Sequence, residues 1–453
     1  MGKLPVRIPG PLGAPHWRRW RSVLRQRTFP AIALFWTALP RIVDASVAAV
    51  LLGTLSPLLL VRALWGRYQT GVMLVRTPLI GIYRIPFLRL TFAGNGRLSS
   101  LAVWLNVLRG DMAIVGPRPL SEEEAATVPM EDRVRFEVRP GLISLFGIRH
   151  RIGLAHERES AMDREQVYTQ TLIGDLGIAA RWMVASVLGG AVHSREMPPI
   201  LNFFGIPVAN TTMQEAVDWV IANAQGSKSK LMAFVNPDCL NIAWKQAKYR
   251  TVLREADRVL PDGIGLHLGC RMQGLALRSN LVGTDVFPNL CEAAARENLP
   301  IYLLGARPGV AQAVADNMVK RLPELKIAGT RHGYFSPEEE ESVVAAINAS
   351  GARILFVAFG APLQELWLDR WRDRLAPSVS MGVGGLFDFY SGRMPRAPMW
   401  MREMGLEWLY RLIQEPGRMW KRYLIGNPMF LIRVWQQIKN PAKFPLPGDG
   451  PRG

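Results

Sequence analysis

Ser378-Val379-Ser380-Met381-Gly382-Val383-Gly384-Gly385-Leu386-Phe387-Asp388-Phe389 reads as a short strand that ends on two glycines and turns directly into a helix. The same grammar recurs upstream. Ala233-Phe234-Val235 precedes a helical stretch, Ile301-Tyr302-Leu303-Leu304 ends in Gly305, and Arg353 to Phe359 ends in Gly360. Apolar strands of this kind, each ending at a glycine and followed by a helix, are buried on both faces and predict a parallel, doubly wound α/β sheet. Ligands of such sheets lie beyond the carboxyl ends of the strands. The chain places its remaining motifs there.

The first is Pro261-Asp262-Gly263-Ile264-Gly265. A strand-end Asp followed by Gly is held on a tight turn with its carboxylate toward the cleft, where Asp262 can take a proton from a substrate hydroxyl. The alternative is an Asp that caps the helix opening at Gly265. Asn236 and Gln364 carry neutral amides that can read hydroxyls or a uracil edge, and Asp388 is either a second sugar contact or a cap. The glycines of Gly305-Ala306-Arg307-Pro308-Gly309 let backbone amides approach a nucleotide. No Asp-x-Asp occurs in residues 202–453 and no His pair has ligand spacing. Neither a divalent ion nor a cofactor is therefore expected. Protein cations must carry the leaving-group charge. Arg393 to Lys443 supplies ten basic residues against three acidic ones, interleaved with Trp400, Trp408, Tyr410, Trp420, Tyr423, Phe430 and Trp435. Arg411 and Arg418 are seven apart, so a continuous helix puts them on one face, with Lys421 a turn further on.

The ordered set from Asn236-Pro237-Asp238 through Gly283-Thr284-Asp285 and Gly360-Ala361-Pro362-Leu363-Gln364-Glu365 to Gly405-Leu406-Glu407-Trp408-Leu409-Tyr410-Arg411 resembles the WecG/TagA/CpsF glycosyltransferases, glycosyltransferase family 26. The resemblance covers about residues 202–425. It implies a Rossmann-like domain and an inverting transfer of a hexose from a UDP-sugar to a polyprenyl-diphosphate-linked sugar in cell-surface polysaccharide assembly. It puts the base at Asp262, and it implies a carboxyl-terminal appendage that delivers arginines and touches the membrane. Two positions depart from the family: Phe234 where relatives often have Thr, and Asn280 where they often have Arg.

The first half carries Trp104-Leu105-Asn106-Val107-Leu108-Arg109-Gly110-Asp111-Met112-Ala113-Ile114-Val115-Gly116-Pro117-Arg118-Pro119-Leu120, then Arg139-Pro140-Gly141 and Asp163 to Asp175. This half resembles the bacterial sugar transferases, monotopic phosphoglycosyl transferases that load a sugar phosphate onto polyprenyl phosphate. The family's nucleophilic Asp-Glu pair falls on Ser99-Ser100, and a serine with no base beside it is a poor nucleophile toward phosphorus. The resemblance therefore implies an α-rich membrane scaffold without that chemistry, in which Arg118 and Arg139 are the candidates to hold a lipid phosphate. The apolar run Ala45 to Leu64 is about long enough to cross a bilayer. Its Ser56-Pro57, with Arg41 and Asp44 before it, resembles the family's re-entrant helix; a spanning helix with a proline kink is the alternative. Two other functions stay open. One is a bifunctional enzyme using Glu122, Glu123 or Glu124 in the first half, and the other is a non-catalytic assembly factor.

The 453 residues carry a net charge of +18, which suits an acidic leaflet or phosphorylated substrates, and no nucleic-acid recognition motif is present. Cys239, Cys270 and Cys291 form no framework and read as buried thiols in a reducing cytosol. Seven basic residues precede Phe29, favouring a cytoplasmic amino terminus at the inner membrane. The expected organisation is a basic segment 1–30, a membrane domain 31–200, a transferase core 201–392, an appendage 393–443 and a tail 444–453. Self-association is left open.

Overall fold

The computed structural model describes residues 30–94, 98–154, 159–188 and 196–447, with side chains from residue 38 onward. The basic segment before Pro30 lies outside the described residues. The chain divides into two compact units: residues 1–146 with 158–178, and residues 147–157 with 179–453.

In the first unit a helix runs from Pro30 to Thr70, and Ala38–Thr70 is apolar and long enough to cross a membrane. The helix is continuous through Pro57. The proline has no N–H to give the Gly53 carbonyl, and the Ser56 hydroxyl donates to that carbonyl instead, at 2.8 Å. The break expected at Ser56-Pro57 is thus confined to one exchanged hydrogen bond. A hairpin of β1 (Leu74–Ile80) and β2 (Pro86–Phe92) follows, then a helix Trp104–Arg109 and a parallel pair of β3 (Ala113–Val115) and β4 (Gly141–Ile143).

The second unit opens with a small hairpin, β5 (Ile200–Phe203) and β6 (Ile206–Ala209). Six strands then form the expected parallel sheet: β7 (Lys230–Val235), β8 (Arg258–Pro261), β9 (Ile301–Gly305), β10 (Ile327–Arg331), β11 (Ile354–Ala358) and β12 (Val379–Gly382). Their order is β10-β9-β11-β12-β7-β8. Alternate residues face opposite layers. Ile354, Phe356 and Ala358 join Phe287 and Val314 on one face, while Leu355 and Val357 join Trp367 and Val344 on the other. Such two-sided burial is why these strands read as unbroken apolar runs.

The expected domain limits shift in two places. The appendage and the start of the tail are part of the core: Phe430 and Val434 of the helix Asn427–Lys439 pack with Val235, Leu240 and Tyr249. Phe444 stacks against Trp244 at 5.3 Å between ring centres. Residues 147–154 and 179–188, placed by sequence in the membrane domain, fold into the second unit.

Candidate active site

β7 and β8 end side by side, with Val235 opposite Pro261. The Asp262 amide donates to the Val235 carbonyl at 2.8 Å, and Gly263, at φ 95°, donates its amide to Asn280 Oδ1 at 2.7 Å. Asn280 therefore does local work in holding the Asp262 turn. Beside it, Asn236 caps the helix Pro237–Lys245, its Oδ1 accepting from the Asp238 and Cys239 amides at 3.1 Å each. Its side chain also helps to lower the Asp262 carboxyl. Asn236 is thus a cap that bears on the carboxylate.

Burial pushes the Asp262 carboxyl up to about 6, against the pull of Arg422; Glu407 raises it further, while Asn236 and Arg411 lower it. A base with that affinity is ionised at neutral pH and still holds a proton usefully in a transition state. Burial works against the Arg422 charge, yet Tyr423, Asp238, Cys239 and Asp262 together hold it above the ordinary guanidinium range. Its Nε lies 3.4 Å from Asp238 Oδ2. Arg411 lies over the Phe389 ring at 5.2 Å, and its Nε is buried without a hydrogen-bond partner. An Arg411 Nη2 sits 3.2 Å from where a Gly385 side chain would begin. Asp388, half-buried on the helix Leu386–Tyr390, makes no ion pair among the described residues.

Three of the expected ligand groups are placed otherwise. Gln364 is 3 % exposed, and its amide is occupied. Its Oε1 accepts from Gly360 and Gly384 at 3.0 and 2.9 Å, and its Nε2 donates to Glu365 Oε1 at 2.7 Å. It clamps the ends of β11 and β12 to each other. Arg418 is exposed, 3.6 Å from Glu415, and Lys421 is exposed beside the Trp420 ring. The helix Glu407–Gln414 ends at Glu415 (φ −130°, ψ 61°), a new one starts at Pro416, and residues 421–426 widen into a π-helix. The seven-residue spacing loses its phase at that break, so Arg411 and Arg422 share the cleft. The signal was present in the sequence: the residue before a proline is pushed out of helical geometry.

In the loop after β9, Gly305 (φ 129°) lies so close to β11 that a Cβ would stand 2.6 Å from the Ala358 carbonyl oxygen, a packing requirement. Gly309, in left-handed geometry before the helix Val310–Arg321, faces open space and remains a nucleotide candidate. Among the described residues no group of three His, Cys, Asp or Glu side chains could hold a metal ion.

Several retained motif residues of the first unit are engaged within it. Asn106 is fully buried, accepting from the Leu90 amide at 2.9 Å and donating to the Leu88 carbonyl and Asp111 at 2.8 and 2.9 Å. Gly116 and Gly141 cross so closely that a Cβ on Gly141 would lie 2.1 Å from the Gly116 nitrogen. Arg118 is gripped by Glu159 at 2.8 and 3.1 Å and by Glu124 at 2.9 Å, and the Glu159 bonds foremost hold its charge above the ordinary range. These bonds engage Nε and Nη2, which leaves the Nη1 end as the part of Arg118 that could meet a phosphate. Arg139 is half-buried and makes no ion pair among the described residues.

A doubly wound sheet with a strand-end carboxylate and two converging arginines defines a group-transfer enzyme acting on an anionic donor. The chain belongs to the glycosyl transferase WecG/TagA/CpsF family, whose model matches residues 201–443. The bacterial sugar transferase family matches residues 89–189. An N-acetylglucosaminyldiphosphoundecaprenol N-acetyl-beta-D-mannosaminyltransferase of Bacillus subtilis (strain 168) is 34% identical over 240 residues, covering 53% of this chain and 92% of the relative. The protein of the same description from Bacillus spizizenii is 32% identical over 217 residues, covering 48% of this chain and 83% of that relative. The protein is thus a glycosyltransferase, and the second match together with the long apolar helix points to membrane association.

Proposed function

We propose that the protein is an inverting glycosyltransferase at the cytoplasmic face of the inner membrane. It moves a hexose, with N-acetylmannosamine the first candidate from its relatives, from a UDP-sugar to a polyprenyl-diphosphate-linked N-acetylglucosamine. The observation that carries this reading is Asp262, a carboxyl raised to about 6 that feels Arg422 and Arg411 from the basic arm.

Ionised Asp262 takes the proton of the acceptor hydroxyl as its oxygen attacks the anomeric carbon. The bond from that carbon to the diphosphate oxygen breaks on the opposite face, and the UDP leaves with its new charge against Arg411 and Arg422. The helix Asn427–Lys439 turns Met429, Ile432, Trp435 and Ile438 outward and Phe430 and Val434 inward. With Lys439 beside Trp435, that outer face suits a bilayer interface and brings the enzyme into the plane of its lipid acceptor.

The first unit acts in this reading as a membrane scaffold. Glu124 completes a capping box with Ser121 and is paired to Arg118, which disfavours it as a replacement nucleophile. The test is purified full-length protein in detergent, with a panel of UDP-sugars and a short-chain N-acetylglucosaminyl-diphospho-lipid. UDP release dependent on the lipid is expected; UMP release with polyprenyl phosphate would favour the bifunctional alternative.

A further inference from the structure

Two segments that lie, in sequence, inside the bacterial sugar transferase match belong structurally to the transferase unit. The first is the end of the helix Leu145–Ile152 with Gly153, and the second is the end of the helix Leu172–Leu188. They reach the two walls of the Asp262 cleft by separate routes.

The first route is a relay of hydrogen bonds. The Gly153 carbonyl accepts from the Asn280 amide at 3.2 Å, and Asn280 Oδ1 accepts from the Gly263 amide at 2.7 Å, the residue after Asp262. There is no slack in this contact. Gly153 stands at φ 70°, and a Cβ on it would lie 2.9 Å from the Asn280 nitrogen and 3.0 Å from His267 Nε2. The second route is a buried ion triad. Glu403, with a fully buried side chain, receives Arg149 Nε at 2.8 Å on one oxygen and Arg181 Nη1 at 2.5 Å on the other. Glu403 ends the helix Met399–Glu403, and the chain turns through Gly405, packed on Ile264, into the helix that carries Glu407 and Arg411. Its neighbour Arg402 is itself bound to Asp285 at 3.0 Å.

We propose that Gly153, Arg149 and Arg181 are positioning residues for the glycosyl transfer, Gly153 setting the Asp262 turn through Asn280 and the two arginines setting Arg411 through Glu403. The proposal rests on the reading of Asp262 and Arg411 given above. It makes part of the first family's span a working component of the second family's active site. A transferase cut at residue 200 lacks both supports and is impaired even toward a soluble acceptor.

The experiment uses full-length Gly153→Ala, Arg149→Ala/Arg181→Ala and the conservative Arg149→Lys, with UDP-N-acetylmannosamine and a short-chain N-acetylglucosaminyl-diphospho-lipid as probes. Misplacing a catalytic group from a distance costs up to about a hundredfold, so Gly153→Ala and the double variant are expected to lose roughly ten- to a hundredfold in kcat. In Gly153→Ala the donor KM is expected to stay within about threefold, since that change acts on the Asp262 turn and not on the arginines that meet the diphosphate. The acid limb of kcat moves in Gly153→Ala, because that change acts on Asp262. Arg149→Lys keeps a charge but not the planar fork and falls between wild type and the double variant.

Hydrogen exchange gives a readout independent of turnover: amides of 260–268 open faster in Gly153→Ala, and those of 399–412 in the double variant. Altered exchange in a protein whose wild type transfers no sugar would refute the functional reading and leave the brace standing. Folded variants with wild-type kcat, acid limb and local exchange would overturn the brace, as would a lowered melting temperature with all three unchanged. Should Gly153→Ala fail to fold, Arg149→Lys with Arg181→Lys carries the test, and wild-type kcat and exchange in that pair overturn the proposal.

Discussion

The signature block of the first unit and the cleft of the second are built from the same residue types, arginines, carboxylates and glycine-proline turns, yet they leave them in opposite states. Around Gly116 and Gly141 most of the motif's polar groups are satisfied by one another, Arg139 aside. Arg118 is held by two glutamates, Asn106 by two backbone groups and an Asp, and Arg41 by the carbonyls of Val107 and Leu108 at 2.5 Å each. Around Asp262 they are not. A carboxyl is raised by burial, Arg411 has a buried nitrogen with no partner, and Arg422 is shared between carboxylates. Polar groups spent on one another make a scaffold; groups held ready without full satisfaction mark where a ligand completes them.

Asp262→Asn should break the comparison most severely. It keeps the shape and removes the proton affinity, so transfer is expected to fall by about a hundred- to ten-thousandfold. Turnover within about threefold of wild type would remove Asp262 as the base. The same variant should be at least as stable as wild type at neutral pH. The folded carboxyl titrates near 6 and an unfolded Asp near 4, so between those values the folded state binds more protons and stability falls as pH rises. Above pH 6 the ionised base costs roughly 1–3 kcal/mol, which the amide relieves. A melting-temperature gain at pH 7 that vanishes near pH 4 is the signature to measure.

Next in size are the arm's cations. Arg422→Ala and Arg411→Ala should each cost about 2–4 kcal/mol of transition-state stabilisation, whereas Arg418→Ala and Lys421→Ala, being exposed, should change turnover by less than about threefold. The reverse ranking would restore the single helical face expected from sequence. Arg422→Ala should also move the acid limb of kcat upward from about 6, because the Arg422 charge is what holds the Asp262 carboxyl down. Smallest of all should be the effect of changing Ser100→Ala or adding excess EDTA. Transfer is expected to continue unchanged in both, and activity abolished by EDTA and restored by magnesium would refute a metal-independent reaction.

Much of this was legible because it is local. Strands ending in glycine carried the sheet, and Asp262-Gly263 carried the turn at the end of β8. The clamp made by Gln364 was hidden because its partners, Gly360 and Gly384, follow two different strands, and only the order of the sheet brings them together. Arg422 was missed because a helical phase was carried across Pro416. The Arg149–Glu403 contact spans 254 positions and connects segments that resemble different families, so no periodicity could reveal it.

Ser56 and Pro57 have a consequence of their own. In hydrocarbon a carbonyl deserted by a proline has no water to turn to, and a bare one costs several kcal/mol. With the neighbouring hydroxyl standing in, the vacancy is filled from within the same turn, and the helix can carry its proline at any depth without a partner helix. The serine is thus needed only while the proline is there: its loss alone exposes the vacancy, whereas loss of the proline, alone or with the serine, restores the backbone donor.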